Sequence, residues 1–480
     1  MNPRTILWLV GVVLIAVSLG QLPSLALALA LGESWLPFAV CAPIGAGLGL
    51  LLTSQIRDHE RALNNRSAFV AVTTCWVAAC VLGAAPLIGL GLPPLDALFE
   101  SSSGFTTTGA TVLSGLDQLP RSLLLWRAMS QWLGGMGAIL VGVAVLPVLG
   151  VGGMQLYRDM APGPTKDKLT PRIVEAARIL AVLYVGLTAI DTLALYLGGM
   201  TPFDAICHAM STLSTGGFST HDASFGAFDS PFIHLVTTLF MLLGGMSFTI
   251  LHRFLTRRVS WRTSPELRTY VGIFALVSAV IATDLWFEMP EQYGNWAQAL
   301  EHALFQTAAI LTTTGFSSQD QHAFPELAVA LMLGLVFIGG MASSSAGGIK
   351  VFRVLLLVQQ SLAQFAQIVH PRSVTAVRLG DRRVDDGIIL SVLGFLGIWL
   401  LSLVAGTSLL AVLGFDIFTA LRTAALTLAN VGPSLGEVGA ARAYAEFSGP
   451  TKLVLMLLML LGRVEIYTAL VILTPRFWRR

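Results

Sequence analysis

Four short stretches hold the residues best suited to chemistry in this chain. They are Thr106-Thr107-Thr108-Gly109, Ser214-Thr215-Gly216-Gly217, Thr312-Thr313-Thr314-Gly315 and, more loosely, Leu428-Ala429-Asn430-Val431-Gly432. Thr and Ser offer hydroxyls and small volume. Glycine reaches backbone angles that turn carbonyl oxygens into a row, and it lets chains approach closely. Rings of carbonyls replace the hydration shell of a cation such as potassium. The chemistry on offer is therefore coordination of a dehydrated ion by neutral oxygens. The candidate ligand set is Thr107, Thr108, Gly109, Thr215, Gly216, Gly217, Thr313, Thr314, Gly315, Asn430, Val431 and Gly432. One such stretch would be read as small-residue packing between helices. Four, with their last glycines recurring roughly every hundred residues, imply four copies of one unit around an axis.

The elements that must position them are membrane spans. Hydrophobic residues make up 55% of the 480 and charged residues 12%, against about 25% charged in soluble domains. Apolar runs of about 20 residues recur, enough to cross a bilayer core. Ten spans are expected, at about 6–30, 36–55, 67–92, 124–150, 177–199, 232–255, 270–288, 326–358, 386–413 and 451–475. The first run is longer than a signal-peptide core and lacks a clear cleavage site, so it reads as an anchor. The four cysteines, Cys41, Cys75, Cys80 and Cys207, form no CxxC pair and read as small buried residues. The fold class expected is an all-α membrane protein: a leading hairpin, then eight helices arranged as four helix–pore loop–helix units around a pseudo-fourfold axis. The units are placed at 1–60 (hairpin), 61–155, 156–258, 259–360 and 361–480.

Charge sets the orientation, because cytoplasmic loops carry excess Lys and Arg. With the amino terminus inside, most of the 29 Lys and Arg fall on one side, among them Arg57, Arg61, Arg66, Arg158, Lys166, Lys168, Arg253, Arg257, Arg258, Arg382, Arg383, Arg479 and Arg480. Arg121, Arg127, Arg422, Arg442 and Lys452 are left outside. Asp117, Asp222, Asp229, Glu291, Asp320, Glu326 and Glu437 also face outward, where they would concentrate cations at a mouth or simply form a solvated rim. Both termini are expected inside. The Thr/Gly loops then enter from outside, after half-helices at Leu95–Gly104, Pro202–Leu213, Trp296–Leu311 and Ile417–Leu428. The negative carboxyl ends of these half-helices would point at the axis and favour a cation. Irregular backbone at that depth must be buried in protein or line water.

The eighth span contains Gly339-Gly340-Met341-Ala342-Ser343-Ser344-Ser345-Ala346-Gly347-Gly348. Each interior glycine costs a helix about 1 kcal/mol relative to alanine, so the stretch is expected to unwind and line the water path. Its alternative is a tight helix crossing, since Gly134-Gly135-Met136 and Gly244-Gly245-Met246 occupy similar places. The tenth span carries Arg463 where other units have Gly-Gly-Met. A charge at bilayer centre costs about 2.5 kcal/mol or more, so Arg463 is expected to face the path and bond to carbonyls of the unwound stretch. A salt bridge between helices is the alternative. Glu465 lies on nearly the opposite helix face and is an awkward partner. The gate candidates are therefore Gly339, Gly340, Ser343, Ser344, Ser345, Gly347, Gly348 and Arg463. Lys350 and Arg353 are expected to snorkel to the interface, and Asp191 and Asp284 to anchor at it.

These motifs resemble the Trk/Ktr/HKT superfamily of potassium-uptake subunits, closest to the TrkH type, over the whole length. The resemblance implies that Gly109, Gly217, Gly315 and Gly432 are the filter glycines, and that the leading hairpin is the TrkH-type addition. Some sodium-favouring relatives carry Ser at the first position, so Gly109 argues for potassium. The Asn430-Val431-Gly432-Pro433 loop departs from Thr-Thr-Gly in a way TrkH-type members share. The resemblance also implies the arginine at 463 and a gating role for the unwound stretch. It further implies a homodimer in the bacterial inner membrane and a cytoplasmic TrkA-type nucleotide-binding regulatory partner.

No Walker A pattern is present, and Gly45-Ala46-Gly47-Leu48-Gly49 lies within a span. Neither an enzyme, an organic cofactor nor nucleic-acid binding is expected. The resemblance implies potassium as the transported ion, with passive flow and symport both open. Two other readings are a sodium-dependent Ktr-like transporter, disfavoured by the hairpin, and a secondary transporter of a small organic solute built on broken helices.

Overall fold

The structure is a computed structural model and describes residues 3–55, 65–144, 169–257, 264–319, 324–372, 377–380, 382–432 and 444–479. Arg57, Arg61, Arg158, Lys166, Lys168, Arg258, Asp320, Pro433, Glu437, Arg442 and Arg480 lie outside the described residues. Two long helices, α1 (Pro3–Leu31) and α2 (Leu36–Gln55), form the leading hairpin. They cross backbone to backbone: a Cβ on Gly11 would lie 2.9 Å from the Gly49 oxygen, and one on Gly49 2.6 Å from the Gly11 oxygen. Small residues permit that approach where no hydrophobic force separates helix from lipid.

A long helix, a short helix and then a closing helix, in two pieces in the last three sets, occur four times. The first set is α3 (Asn65–Gly89), α4 (Pro94–Phe105) and α5 (Arg121–Ala144). The second is α6 (Leu169–Leu197), α7 (Pro202–Leu213), α8 (Pro231–Gly245) and α9 (Phe248–Leu255). The third is α10 (Pro265–Glu288), α11 (Trp296–Leu311), α12 (Glu326–Val336) and α13 (Val351–Val369). The fourth is α14 (Asp386–Val412), α15 (Ile417–Leu428), α16 (Gly449–Arg463) and α17 (Ile466–Leu470), with α18 (Pro475–Trp478) at the end. A two-stranded antiparallel pair, β1 (Arg378–Leu379) and β2 (Arg382–Arg383), precedes α14.

The protein is a predominantly helical, multi-pass membrane protein. Among the described residues seven helices are long and apolar enough to cross a membrane, and nine if each bent pair counts as one span. Of the ten expected spans, the fourth, at about 124–150, runs past Ala144 to positions outside the described residues, and α5 is not in that set. The sixth and tenth spans were expected to be continuous and are not. The chain turns by 108° between α8 and α9 and by 113° between α16 and α17. At the second break Glu465 sits at φ 58°, a backbone angle no helix accommodates.

The four short helices start and stop on local signals. Pro94 and Pro202 occupy first-turn positions, where a missing N–H costs nothing. Thr201, Asn295 and Asp416 cap their helices by accepting first-turn backbone N–H groups. All four end in the same double-hydrogen-bonded turn. Thr107 N bonds Gly104 O and Thr108 N bonds Ser103 O, with Thr215/Gly216, Thr313/Thr314 and Asn430/Val431 repeating the pair at 2.8–3.2 Å. That pattern needs a left-handed residue after the cap. Thr107, Thr215, Thr313 and Asn430 supply it at φ 52°, 52°, 56° and 57°.

Candidate functional site

The four turns meet in a closed ring. The last glycines all have positive φ: Gly109 at 80°, Gly217 at 83°, Gly315 at 78° and Gly432 at 80°. Each faces a carbonyl of the next turn. A Cβ on Gly109 would lie 2.3 Å from the Gly216 oxygen, on Gly217 2.1 Å from Thr314, on Gly315 1.9 Å from Val431, and on Gly432 2.4 Å from Thr108. The succession runs from first set to second, third, fourth and back to first. Only glycine fits these four positions, by space and by backbone angle together.

Side chains brace the ring differently in each quarter. Thr106 and Thr108 share a hydroxyl hydrogen bond of 2.8 Å, and Thr312 and Thr314 one of 2.7 Å. In the fourth quarter Asn430 Nδ2 donates to Thr108 Oγ1 at 3.0 Å and to the Met459 carbonyl at 2.9 Å, tying that turn to the first. In the second, Gln131 reaches across from α5 to donate to the Gly216 oxygen at 2.6 Å and to accept from Phe218 N at 3.0 Å.

Directly against the ring lies the stretch 337–350 between α12 and α13. Its neck is closed: Lys350 N bonds Ile338 O at 2.8 Å and Val351 N bonds Gly340 O at 3.0 Å. Gly339 and Gly348, at φ 74° and 75°, press against each other there, a Cβ on one coming within 2.9 Å of the other's Cα. Gly340 has Ala346 Cβ 2.5 Å from where its own Cβ would stand. The loop beyond the neck is held from every side. Met341 N and Ser345 N take the Gly245 and Gly244 carbonyls at 2.8 and 3.3 Å, oxygens at the end of α8 where the 108° bend begins. Ser345 Oγ donates to Leu213 O and Gly244 O, both at 2.9 Å. Gly347 N donates to Thr313 Oγ1 at 2.7 Å, and Ser344 Oγ to Met341 O at 2.6 Å. Ser343, at φ 57°, accepts on its carbonyl from Phe248 N at 3.3 Å.

Arg463 completes this arrangement. It is buried, donating through Nη1 to Ser345 O at 2.6 Å and through Nη2 to Gly134 O at 3.1 Å. It thus joins the fourth set to the loop of the third and to α5 of the first. A cavity of about 30 Å³ lies beside it, lined in part by Ser343, Ser344, Gly347, Lys350, Arg463 and Glu465. That is room for a water molecule or two among polar groups.

The expectation that Lys350 and Arg353 snorkel outward is wrong. Both are buried, and Lys350 Nζ donates to Ala346 O at 2.5 Å. Arg353 Nη2 pairs with Glu465 at 2.7 Å, and its guanidinium lies 3.7 Å from the Phe395 ring centroid. The bend after α16 leaves Glu465 within reach of Arg353 on α13, so the two charges are paired inside the protein. Arg127, assigned to the outer side by the charge pattern, is buried within the protein. Its side chain is 2% exposed and pairs with Glu100, itself 0% exposed, at 2.7 Å. Asp191 is fully buried, not an interface anchor, and Asp284 caps α12 by accepting from Ala328 N at 3.1 Å.

A model of the TrkH family, described as a cation transport protein, matches residues 40–282 and 290–479. The chain belongs to the TrkH family. It is similar to the Trk system potassium uptake protein TrkH of Halomonas elongata, 39% identical with 100% of both chains covered. The TrkH of Escherichia coli K12 is 41% identical over 91% of each chain, and the TrkG of the same organism 34% identical over 99% of each. The crystal structure of the potassium transporter TrkH from Vibrio parahaemolyticus matches with a TM-score of 0.91 at 37% identity, covering 100% of both chains.

In this TrkH-family chain several interior polar groups escaped the reading of the sequence. Glu100 on α4 accepts from Thr111 Oγ1 at 2.8 Å and Val112 N at 3.0 Å, while Arg127 donates to Ser219 O at 3.1 Å. The pair pins the segments following two of the four turns. His208 plays a comparable part in the second quarter, its Nε2 3.0 Å from Ser219 Oγ. Glu100, His208 and Gln306 each stand nine residues before their glycine, a register that a search for polar residues at membrane depth would have found. At the rim His221 pairs with Asp117, whose carboxyl that bond holds below the usual range against a small opposing effect of burial. Among the described residues no cluster of three or more His, Cys, Asp or Glu is placed to hold a metal.

Proposed function

We infer that the chain carries potassium across the bacterial inner membrane through the ring of four turns. The single observation that carries this reading is ring closure. Four glycines in sequence order each face the carbonyl of the next turn, within a distance no side chain fits. The family's description as cation transport, and the printed names of its potassium-uptake relatives, support the choice of ion.

The chemistry follows from the backbone. A left-handed residue between right-handed or extended neighbours turns successive carbonyls toward one side, and the positive φ at Thr107, Thr215, Thr313 and Asn430 supports reading these turns as presenting oxygens to the axis. The Thr107–Gly109, Thr215–Gly217, Thr313–Gly315 and Asn430–Gly432 backbones replace the ion's water, and the carboxyl ends of α4, α7, α11 and α15 add partial negative charge. Potassium is the cargo here, not a resident metal, and these neutral ligands release it as readily as they bind it. The fourth quarter, with Val431 and Asn430, makes the ring only pseudo-fourfold.

Below the ring, 337–350 closes the path. Gly339, Gly340, Ser343, Ser344, Ser345, Gly347 and Gly348 give it a flexible, bonded but unhelical backbone, and Arg463 opposes cations electrostatically while latching it. Opening requires the Arg463 to Ser345 bond to part. Ten crossings, both termini inside, a homodimer and a TrkA-type regulatory partner complete the reading, with the unit boundaries at 61–155, 156–258, 259–360 and 361–480.

Rubidium uptake in potassium-starved cells tests it. Gly315→Ser is expected to lower uptake and relax discrimination against sodium, since a Cβ there meets the Val431 oxygen at 1.9 Å. Arg463→Ala is expected to raise basal flux. Wild-type discrimination in the glycine variant removes the filter assignment, and unchanged flux in the arginine variant removes the gate.

A further inference from the structure

We propose that Gln131 is a selectivity-setting positioning residue: a side chain lent by the first unit to hold the second turn of the ring in register. The inference rests on the ring being the ion filter. Three turns have a side chain on the residue before the last glycine, namely Thr108, Thr314 and Val431; the second has Gly216. Loops 1 and 3 brace themselves through that position, Thr108 against Thr106 and Thr314 against Thr312. Loop 2 has no hydroxyl there to offer.

Gln131 occupies the vacated space. A Cβ on Gly216 would lie 2.4 Å from both Gln131 Cδ and Oε1, so the glycine and the glutamine fit only each other. The amide is fully buried and uses both ends. Nε2 donates to the Gly216 oxygen at 2.6 Å and Oε1 accepts from Phe218 N at 3.0 Å. These two groups flank Gly217, so the amide fixes the two peptide planes that orient its carbonyl. The Gly216 oxygen is also the one Gly109 faces across the ring, 2.3 Å from the position of a Cβ. Gln131 therefore controls the spacing between the first and second turns. An amide suits the task because it donates and accepts in one plane. A carboxylate would still accept from Phe218 N but would set an oxygen against the Gly216 oxygen.

The test reads the ratio of potassium to sodium as competitors of rubidium uptake, a quantity independent of expression level and of how much protein folds. Gln131→Ala and Gln131→Glu are each expected to lower that ratio by about threefold to tenfold, the scale of one hydrogen bond. Gly216→Thr alone is expected to abolish uptake. Gln131→Ala combined with Gly216→Thr gives the second turn the hydroxyl of turns one and three and is expected to recover most of the ratio. Gly315→Ser is run alongside. If it relaxes the ratio while Gln131→Ala and Gln131→Glu leave it at the wild-type value, Gln131 does not set selectivity and the filter reading stands. If Gly315→Ser also leaves it unchanged, the filter reading itself fails. Loss of folded protein in every Gln131 variant, the double one included, overturns the proposal in favour of a structural role.

Discussion

At the scale of single residues, the ring depends on conformations its side chains resist. A left-handed residue costs about 1–2 kcal/mol, and threonine is β-branched, so Thr107, Thr215 and Thr313 are true outliers. Such strain persists where surrounding structure over-determines it, which is characteristic of working sites. The buried ion pairs are part of that surrounding structure. Arg353 is fully buried against Glu465 and the Phe395 ring, so Arg353→Met leaves a carboxylate without its cation. The expected loss is about 3–5 kcal/mol, read as a fall in thermal midpoint of the detergent-solubilised protein. Glu465→Gln together with Arg353→Met should recover much of it. A midpoint unmoved by the single change would show that the pair contributes nothing to holding α13 against the bend after α16.

At the scale of elements, the decisive object is the loop 337–350. It is not a melted helix. Its neck is hydrogen-bonded, and its outer part is fastened to all four sets by Gly142, Gly244, Thr313 and Arg463. The 108° bend after α8 and the unwound 337–350 stretch are joined directly, since the two carbonyls at the end of α8 accept the loop's N–H groups. Gly347 packs so that a Cβ would meet the Ala429 oxygen at 2.2 Å. Gly347→Ala is therefore expected to push the loop from the fourth turn and change basal rubidium flux severalfold. Gly186→Ala on α6, with nothing within 4 Å of the new methyl, should leave flux alone and stabilise the helix by up to about 1 kcal/mol. Equal effects from the two changes would mean that glycine content alone, not this contact, matters.

For the whole molecule, the outer surface is lipid-facing and the tie across the ring is polar. Leu390, Leu401, Val404 and Val412 on α14 are exposed, as are Leu19, Leu29, Ile44 and Leu50 on the hairpin. Apolar cores run between the sets, Phe99, Ile250, Ile310 and Phe395 from all four sharing one cluster, and ion pairs cross the same boundaries. His234 on α8 reaches Glu301 on α11 at 2.8 Å, and Lys452 on α16 reaches Asp96 on α4 at 2.6 Å. On the proposed ten crossings both termini share one side, and the excess of basic residues expected on cytoplasmic loops assigns that side to the cytoplasm. Fluorescent-protein fusions at either end should therefore fluoresce, and periplasmic phosphatase fusions at either end should be inactive. Activity of one phosphatase fusion would overturn the ten-crossing count.

How much of this was legible in the linear chain depends on the range of the interactions. The short helices could be read almost to the residue, because a proline or cap starts each one and a Thr/Gly or Asn-x-Gly turn ends it. Those signals act within a few residues, so the sequence by itself determined the helices, the fourfold repeat and the positions of its glycines. Unwinding of 337–350 was legible for the same reason, as glycine's cost to a helix is local. The bends after Gly245 and Arg463 were not. Their cost is offset by partners distant in sequence: Gly244 and Gly245 holding the loop, and Glu465 finding Arg353 across 112 residues. Nor did the spacing of Gln131 and Gly216, 85 residues apart, hint that one occupies the other's missing side chain. The cost of a charge at membrane depth already turned Arg463 toward carbonyls of the unwound stretch, as its bond to Ser345 O shows. Tertiary structure alone decided which turn faces which and which charges are paired. Inside a membrane protein a polar group has no water to fall back on, so its partner is whatever the folded neighbours bring within hydrogen-bond reach.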